Sequence, residues 1–205
     1  MTFMNLSALS RRRTLLKSAT AVLTGLALSA CSPDKPQFVS IDITGADYAK
    51  GFSLTDHNGV QRSLPDFKGK VVVVFFGFTQ CPDVCPTALF ELAEVKRKLG
   101  SQSDRLQGVF ITVDPERDTE EVLKAYMANF DPSFIALRPT LAELPEVAKS
   151  FKIYYKQNEG KTAGSYTMDH SAGSYVFDAE GRVRLYTRYG SGAETLAADV
   201  ALLLK

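Results

Sequence analysis

Val71-Val72-Val73-Val74-Phe75-Phe76-Gly77-Phe78-Thr79-Gln80-Cys81-Pro82-Asp83-Val84-Cys85-Pro86 reads as a strand, a short loop and the start of a helix. The run 71–78 is β-branched and aromatic with no polar alternation, the pattern of a strand covered on both faces at the centre of a largely parallel sheet. From Pro86 onward Leu89, Leu92, Val95 and Leu99 recur at steps of three and four, the stripe of a helix packed on that sheet. Cys81 and Cys85 stand at the join. If the first helical turn includes both, they share one face with β-carbons about 5–6 Å apart, so that two sulfurs can share one partner. Unpaired N–H groups and the positive end of the helix dipole at such a join favour thiolate over thiol. A thiolate pair of this kind binds a soft metal or carries out redox chemistry. A buried structural disulfide is the alternative, and the spacer Pro82-Asp83-Val84 is one residue longer than that of the Cys-x-x-Cys motif of simple dithiol exchange.

Outward from this stretch, two alternating runs around Asn58-Gly59 predict a hairpin with a type I′ turn. A second buried strand is expected over 106–113. Thr119 followed by Glu120 and Glu121 caps a helix reaching about Asn129. A shorter helix follows over 141–151. Two strands, 170–177 and 181–189, flank the turn Asp178-Ala179-Glu180-Gly181, and an amphipathic helix over 193–204 ends the chain. This order, alternating early and closing in an antiparallel hairpin plus helix, predicts a single thioredoxin-like α/β domain: an N-terminal β-hairpin and a central mixed sheet flanked by helices.

The first 30 residues hold Arg11, Arg12, Arg13 and Lys17, no acid, and an apolar stretch over 19–30. That stretch is too short to span a bilayer, which takes about 20 residues, and reads as an export signal. Leu28-Ser29-Ala30-Cys31 is similar to a lipobox, which predicts cleavage before Cys31 and lipidation of its thiol; Arg12-Arg13 resembles a twin-arginine motif. The expected organisation is a signal peptide over 1–30, a membrane-proximal tether over 31–48 with Pro33 and Pro36, and one domain over 49–205. The expected location is the periplasmic face of the inner membrane, held by the lipid. Without the signal, 20 bases stand against 23 acids, a net charge of −3. No basic, aromatic-interleaved face remains, which excludes nucleic acid as a partner. With Cys31 lipidated, Cys81 and Cys85 are the only free thiols.

A third ligand has two candidates. His57 sits beside Asn58-Gly59 and reads as an exposed turn residue. His170, at the entry to the strand over 174–177, can be brought to the strand ends where ligands gather in open α/β sheets. A hydrogen-bonded structural histidine is the equal alternative at this point. Asp83 is a candidate for partner docking or for supporting the cysteines, and Met168 for weak soft ligation against plain packing.

Three motifs together carry a resemblance: Phe76-Gly77-Phe78-Thr79-Gln80-Cys81-Pro82-Asp83-Val84-Cys85-Pro86-Thr87, then Val113-Asp114-Pro115-Glu116-Arg117-Asp118-Thr119, then Asp169-His170-Ser171. In this order and behind an export signal, the chain from about Gly51 to its last helix resembles the Sco/SenC family of membrane-anchored copper proteins. The resemblance implies a thioredoxin-like fold and one copper ion, Cu(I) or Cu(II), held by Cys81, Cys85 and His170. It implies a role in assembling the binuclear copper site of cytochrome c oxidase, with that oxidase's copper-bearing subunit and other periplasmic copper carriers as partners. Two functions fit it: a metallochaperone that delivers copper without turnover, and a thiol-disulfide oxidoreductase that keeps the oxidase cysteines reduced, for which Cys81 and Cys85 would be the redox pair. Zinc fits the same donor atoms. Asp114 and Arg117 are assigned orientation of the loop rather than ligation. Ile135-Ala136-Leu137-Arg138-Pro139 departs from a more glycine-rich family segment, a change expected in a surface loop.

Overall fold

The buried apolar run becomes strand β4 (Val71–Gly77) and its counterpart becomes β5 (Leu106–Thr112); every residue of both is buried. They pair in parallel, from Val71 beside Leu106 to Gly77 beside Thr112. The computed structural model describes residues 37–205, so the expected signal segment, Cys31 and the start of the tether lie outside the described residues.

Around this pair the strands are β1 (Ile41–Asp42), β2 (Ser53–Asp56), β3 (Gln61–Ser63), β6 (Ile135–Arg138), β9 (Ser174–Phe177) and β10 (Val183–Thr187), in the order β1-β10-β9-β4-β5-β6-β2-β3. β4–β5 and β5–β6 are parallel and the other pairings antiparallel, so the sheet is the mixed one that the order of elements predicts. The cause is the route into β9. The chain reaches it through a separate two-stranded ribbon, β7 (Tyr155–Glu159) with β8 (Tyr166–His170), instead of a helical crossover, and so enters beside the C-terminal end of β4 running the opposite way.

Among the described residues four α-helices cover the sheet: α1 (Val84–Lys98), α2 (Glu120–Met127), α3 (Leu144–Phe151) and α4 (Ala193–Leu203). Val73 and Phe75 face Leu89 and Leu92 of α1 and Leu196 of α4, and Phe110 on the same face meets Tyr126 of α2 at 5.9 Å. On the other face Phe76 meets Phe151 of α3 edge to face at 5.1 Å. As expected, Thr119 caps α2: its side chain accepts the N–H of Val122.

Four expectations need correction. The tether does not extend through residue 48: Ile41 and Asp42 pair with β10, Asp199 of α4 accepts the N–H groups of Val39 and Ser40, and Ala49 is fully buried. The first hairpin turn is not type I′, because only Gly59 takes positive φ (75°) while Asn58 stays on the negative side. Asp56 dictates this geometry, with its carboxylate accepting the N–H groups of Asn58 and Val60 and the Nε–H of Arg62. The turn at Asp178 repeats the device, with Gly181 at φ 78°. Residues 135–138 are not a surface loop but an interior strand between β5 and β2. Finally, the strand expected over 170–177 is two strands on different sheets, parted by Ser171, Ala172 and Gly173.

Candidate metal centre

β4 ends at Gly77 and α1 begins at Val84, leaving Cys81 in the connecting loop and Cys85 in the first helical turn. The two cysteines therefore do not both lie in the helix. Cys81 instead sits before it and caps it, for its sulfur accepts the N–H of Cys85 at 3.4 Å. The orphan donors of a helix start and its dipole favour negative charge at that position.

Gly77 makes room for Cys85. A β-carbon there would lie 2.6 Å from Cys85 Sγ, 2.9 Å from Phe110 and 3.0 Å from Phe75. A side chain at this point of the strand and the sulfur behind it exclude each other. An isolated glycine inside a β-branched run signals such a close approach, and this one was readable but unread.

His170 arrives at the end of β8, 85 residues further on, with Nε2 3.3 Å from Cys85 Sγ. Its Nδ1 faces the carbonyl of Ser171 at 3.0 Å. A carbonyl only accepts, so Nδ1 carries the proton and Nε2 presents its lone pair to the sulfurs. The rings of Phe75 and Phe78 stand edge-on to the imidazole at 6.0 and 5.8 Å, fixing its plane.

The two thiols differ. Cys81 is half-buried and Cys85 fully buried. The Cys85 thiol beside it, followed by the N–H groups of Cys85 and Asp83, pulls the Cys81 pKa down to about 4 despite some burial. Cys85 is pushed the other way by the Cys81 thiolate and by burial, and stays protonated. Its S–H has two acceptors within reach, the Cys81 sulfur and His170 Nε2.

Two buried carboxylates hold the loop. Asp114 and Arg117 orient it as expected: Arg117 Nε–H donates to Asp114 at 2.5 Å, Nη1 donates to Gln80 Oε1 at 3.1 Å and to the Tyr166 carbonyl at 2.8 Å, and the guanidinium lies 3.6 Å from the Tyr166 ring centre. Tyr166 returns a hydrogen bond from its hydroxyl to Asp114 at 2.8 Å. This knot ties the strand bearing His170 to the loop bearing Cys81. Asp118, which carried no sequence signal beyond its place in a motif, is fully buried and accepts from the N–H and hydroxyl of Thr79 and from the Thr112 hydroxyl. Burial raises its pKa against the pull of those hydrogen bonds.

The remaining candidates fall away from the centre. Asp83 is exposed at the N-cap and is hydrogen-bonded by Thr87. Met168 is buried in the core. His57 is half-buried rather than exposed: its Nδ1 accepts the N–H of Ala136 at 3.0 Å, and burial lowers its pKa. It extends the β2–β6 pairing.

Cys81 Sγ, Cys85 Sγ and a ring nitrogen of His170 lie within 4.8 Å of one another, the one grouping of this kind among the described residues. Metal–sulfur and metal–nitrogen bonds of about 2.3 and 2.0 Å in a planar three-coordinate site place the donors roughly 3.7–4.0 Å apart. The present triangle, from 3.3 Å between Cys85 Sγ and His170 Nε2 to no more than 4.8 Å, is of a size to hold one ion. Two thiolates and an imidazole suit soft and borderline metals rather than hard ones.

The SCO1/SenC sequence profile matches residues 42–205. A SCO2-like protein of Rickettsia felis is 37% identical over 160 residues, 77% of this chain and 78% of that protein. Bradyrhizobium japonicum ScoI, solved with copper bound, superposes with a TM-score of 0.69 at 43% identity, over 75% of this chain and 98% of the other. Arabidopsis thaliana ScoI, also solved with copper bound, gives 0.70 at 32% identity over 75% and 96%.

Proposed function

The chain belongs to the SCO1/SenC family, and on that premise we propose that it binds one copper ion through Cys81 Sγ, Cys85 Sγ and His170 Nε2 and serves the assembly of the binuclear copper site of cytochrome c oxidase. The observation that carries this reading is the convergence of the three donors, two from one loop and one from a strand 85 residues away, with the imidazole lone pair already turned to the sulfurs. Two thiolates suit Cu(I), and the imidazole extends the site to Cu(II). Three protein donors leave one side open, where a thiolate of a receiving protein enters before Cys81, the more exposed sulfur, leaves. Binding copper takes the proton from Cys85, and the low pKa of Cys81 means that only one thiol has to give one up near neutrality.

The mature protein starts at a lipidated Cys31 and works on the periplasmic face of the membrane, with the oxidase's copper-bearing subunit and other copper carriers as its partners. The Leu28-Ser29-Ala30-Cys31 sequence supports this placement. No helix among the described residues is long and apolar enough to cross a membrane.

A second reading, thiol-disulfide exchange on the oxidase cysteines, is favoured by the division between a half-buried thiolate and a buried thiol, the usual attacking and resolving pair. His170→Ala separates the two. It should abolish Cu(II) binding and the thiolate-to-Cu(II) charge-transfer absorption, spare much of Cu(I) binding and leave exchange with a small thiol intact. Cells carrying it should lack the assembled oxidase at limiting copper as severely as Cys81→Ser or Cys85→Ser cells. Normal assembly under that limitation would overturn the chaperone reading in favour of the reductase.

A further inference from the structure

A cavity at the end of β4 remote from the cysteines has no part in this chemistry. It holds about 350 Å³ between segments distant in the chain: 50–52, 64–70, Val72 and the β9–β10 turn 178–181. That size is within the range of small-molecule sites. Its floor is apolar, with Phe52, Leu64, Phe67 and Val72 all buried and the two phenylalanine rings tilted against each other at 6.3 Å. Two glycines border Leu64 closely, Gly51 (φ 144°) and Gly181 (φ 78°), with no side chain to close the space. The Gly69 N–H bonds the Ala179 carbonyl at 2.8 Å and joins the two turns that form the wall.

The charged groups around it are three lysines and two acids, and only the lysines lack partners. Lys50, Lys68 and Lys70 line the cavity, and none of the three ammonium groups has a carboxylate, carbonyl or ring partner among the described residues. The two acids that also line it are already engaged: Asp178 by Arg182 and Arg184, Glu180 by Arg182. Three cations without partners over an apolar floor favour neither a neutral apolar ligand nor a small hydrated anion. They complement a molecule that is both.

We propose that this cavity binds a small anion with an apolar body, its acyl or aryl group on Phe52 and Phe67 and its carboxylate or phosphate facing the three lysines. Val73 to Gly77 of β4 separate it from the cysteine loop, roughly 15–20 Å, so ligand and metal bind without contact. Such an anion is available as a free organic acid or as an acidic lipid of a bilayer.

Octanoate titrated into the isotope-labelled full chain tests the site, with octanol and acetate as probes carrying one half of the chemistry each. Octanoate should saturate at one per chain and shift the amides of Gly51, Leu64, Phe67, Lys68, Gly69, Lys70 and Gly181. Octanol and acetate should bind at least about tenfold more weakly, about 1.4 kcal/mol. The double variant Lys68→Gln/Lys70→Gln should lose octanoate affinity about tenfold and keep its copper titration unchanged. Phosphatidylglycerol vesicles that displace octanoate from these amides, where phosphatidylcholine vesicles do not, identify the bilayer as the source; vesicles that leave it bound identify the free acid. Octanol binding as tightly as octanoate, acetate shifting the same amides equally, or octanoate shifts that fail to saturate or fall elsewhere would overturn the proposal.

Discussion

Replacing Gly77 with Ala puts the steric argument for the metal centre to its hardest test. The added carbon would lie 2.6 Å from Cys85 Sγ, against a comfortable separation of about 3.5–4.0 Å, so something must retreat by about 1 Å. Phe75 and Phe110, at 3.0 and 2.9 Å, are the less severe clashes, and both are rings held in the buried sheet face. The sulfur therefore moves, and it starts only 3.3 Å from His170 Nε2. Overpacking of this kind costs about 1–3 kcal/mol, and each kcal/mol lowers the melting temperature by about 2–4 °C in a domain of this size. Displacing one donor of three by an ångström should in addition weaken copper about 10–100-fold, the usual consequence of misplacing a ligand's support. Gly108→Ala is the matched control. Its β-carbon would lie 2.7 Å from the buried Phe134 ring, a similar clash on the neighbouring strand with no sulfur involved. Thermal unfolding and competitive copper titration of both variants should show similar losses of stability and a loss of copper affinity in Gly77→Ala alone. Equal copper affinities in the two variants would refute the claim that Gly77 exists to seat Cys85.

Three other outcomes follow from the same geometry. Iodoacetamide at pH 5–6 should alkylate Cys81 before Cys85, with the rate falling as pH drops through about 4, because the thiolate exists only above its pKa; peptide mass spectrometry finding Cys85 labelled first would contradict the assignment. Arg117→Met should cost about 1–3 kcal/mol by leaving the buried Asp114 carboxylate without its cation, and should lower copper affinity together with stability; a variant as stable as the parent in denaturant titration would show the knot to be idle. Asp178 is raised by burial but lowered further by Arg182, its N–H and Arg184, so its folded pKa lies below the unfolded 3.8. Its stabilisation is therefore complete above that value and is lost as pH falls through the folded pKa. Melting temperature should decline less steeply between pH 5 and 2 in Asp178→Asn than in the parent, and parallel declines would remove Asp178 from the account.

The central strand, the cysteine-bearing helix and both hairpins were legible because each rests on a local pattern: an unbroken buried run, a helical stripe, a glycine turn. The short strands were not. Ile135–Arg138 holds its place through pairing with β5 and β2, partners far away in sequence, and β7 is largely exposed with polar residues at most positions. The mixed polarity of the sheet was legible from the order of elements, an early βαβ alternation closing in an antiparallel hairpin, although nothing local to 174–177 reveals from which end the chain enters. At the centre, the cysteines declared themselves by spacing and His170 through family resemblance. Gly77 was visible as a glycine among valines. Asp118 was not, because a buried carboxylate satisfied by two threonines is indistinguishable in sequence from a solvated one.

The spacing of the three donors along the chain has a further consequence for folding. Cys81 and Cys85 are near neighbours at any stage of collapse, whereas His170, 85 positions further on, joins them only after the intervening chain has found its place. An ion held by all three acts as a cross-link closing a loop of that length. For a covalent bridge of comparable span, loop-closure entropy removes roughly 4–5 kcal/mol from the unfolded side of the balance. Metal binding would then stiffen the chain and metal loss relax it, so the metal-free form is the one most exposed to proteolysis and most dependent on the Asp114–Arg117–Tyr166 knot to keep His170 home.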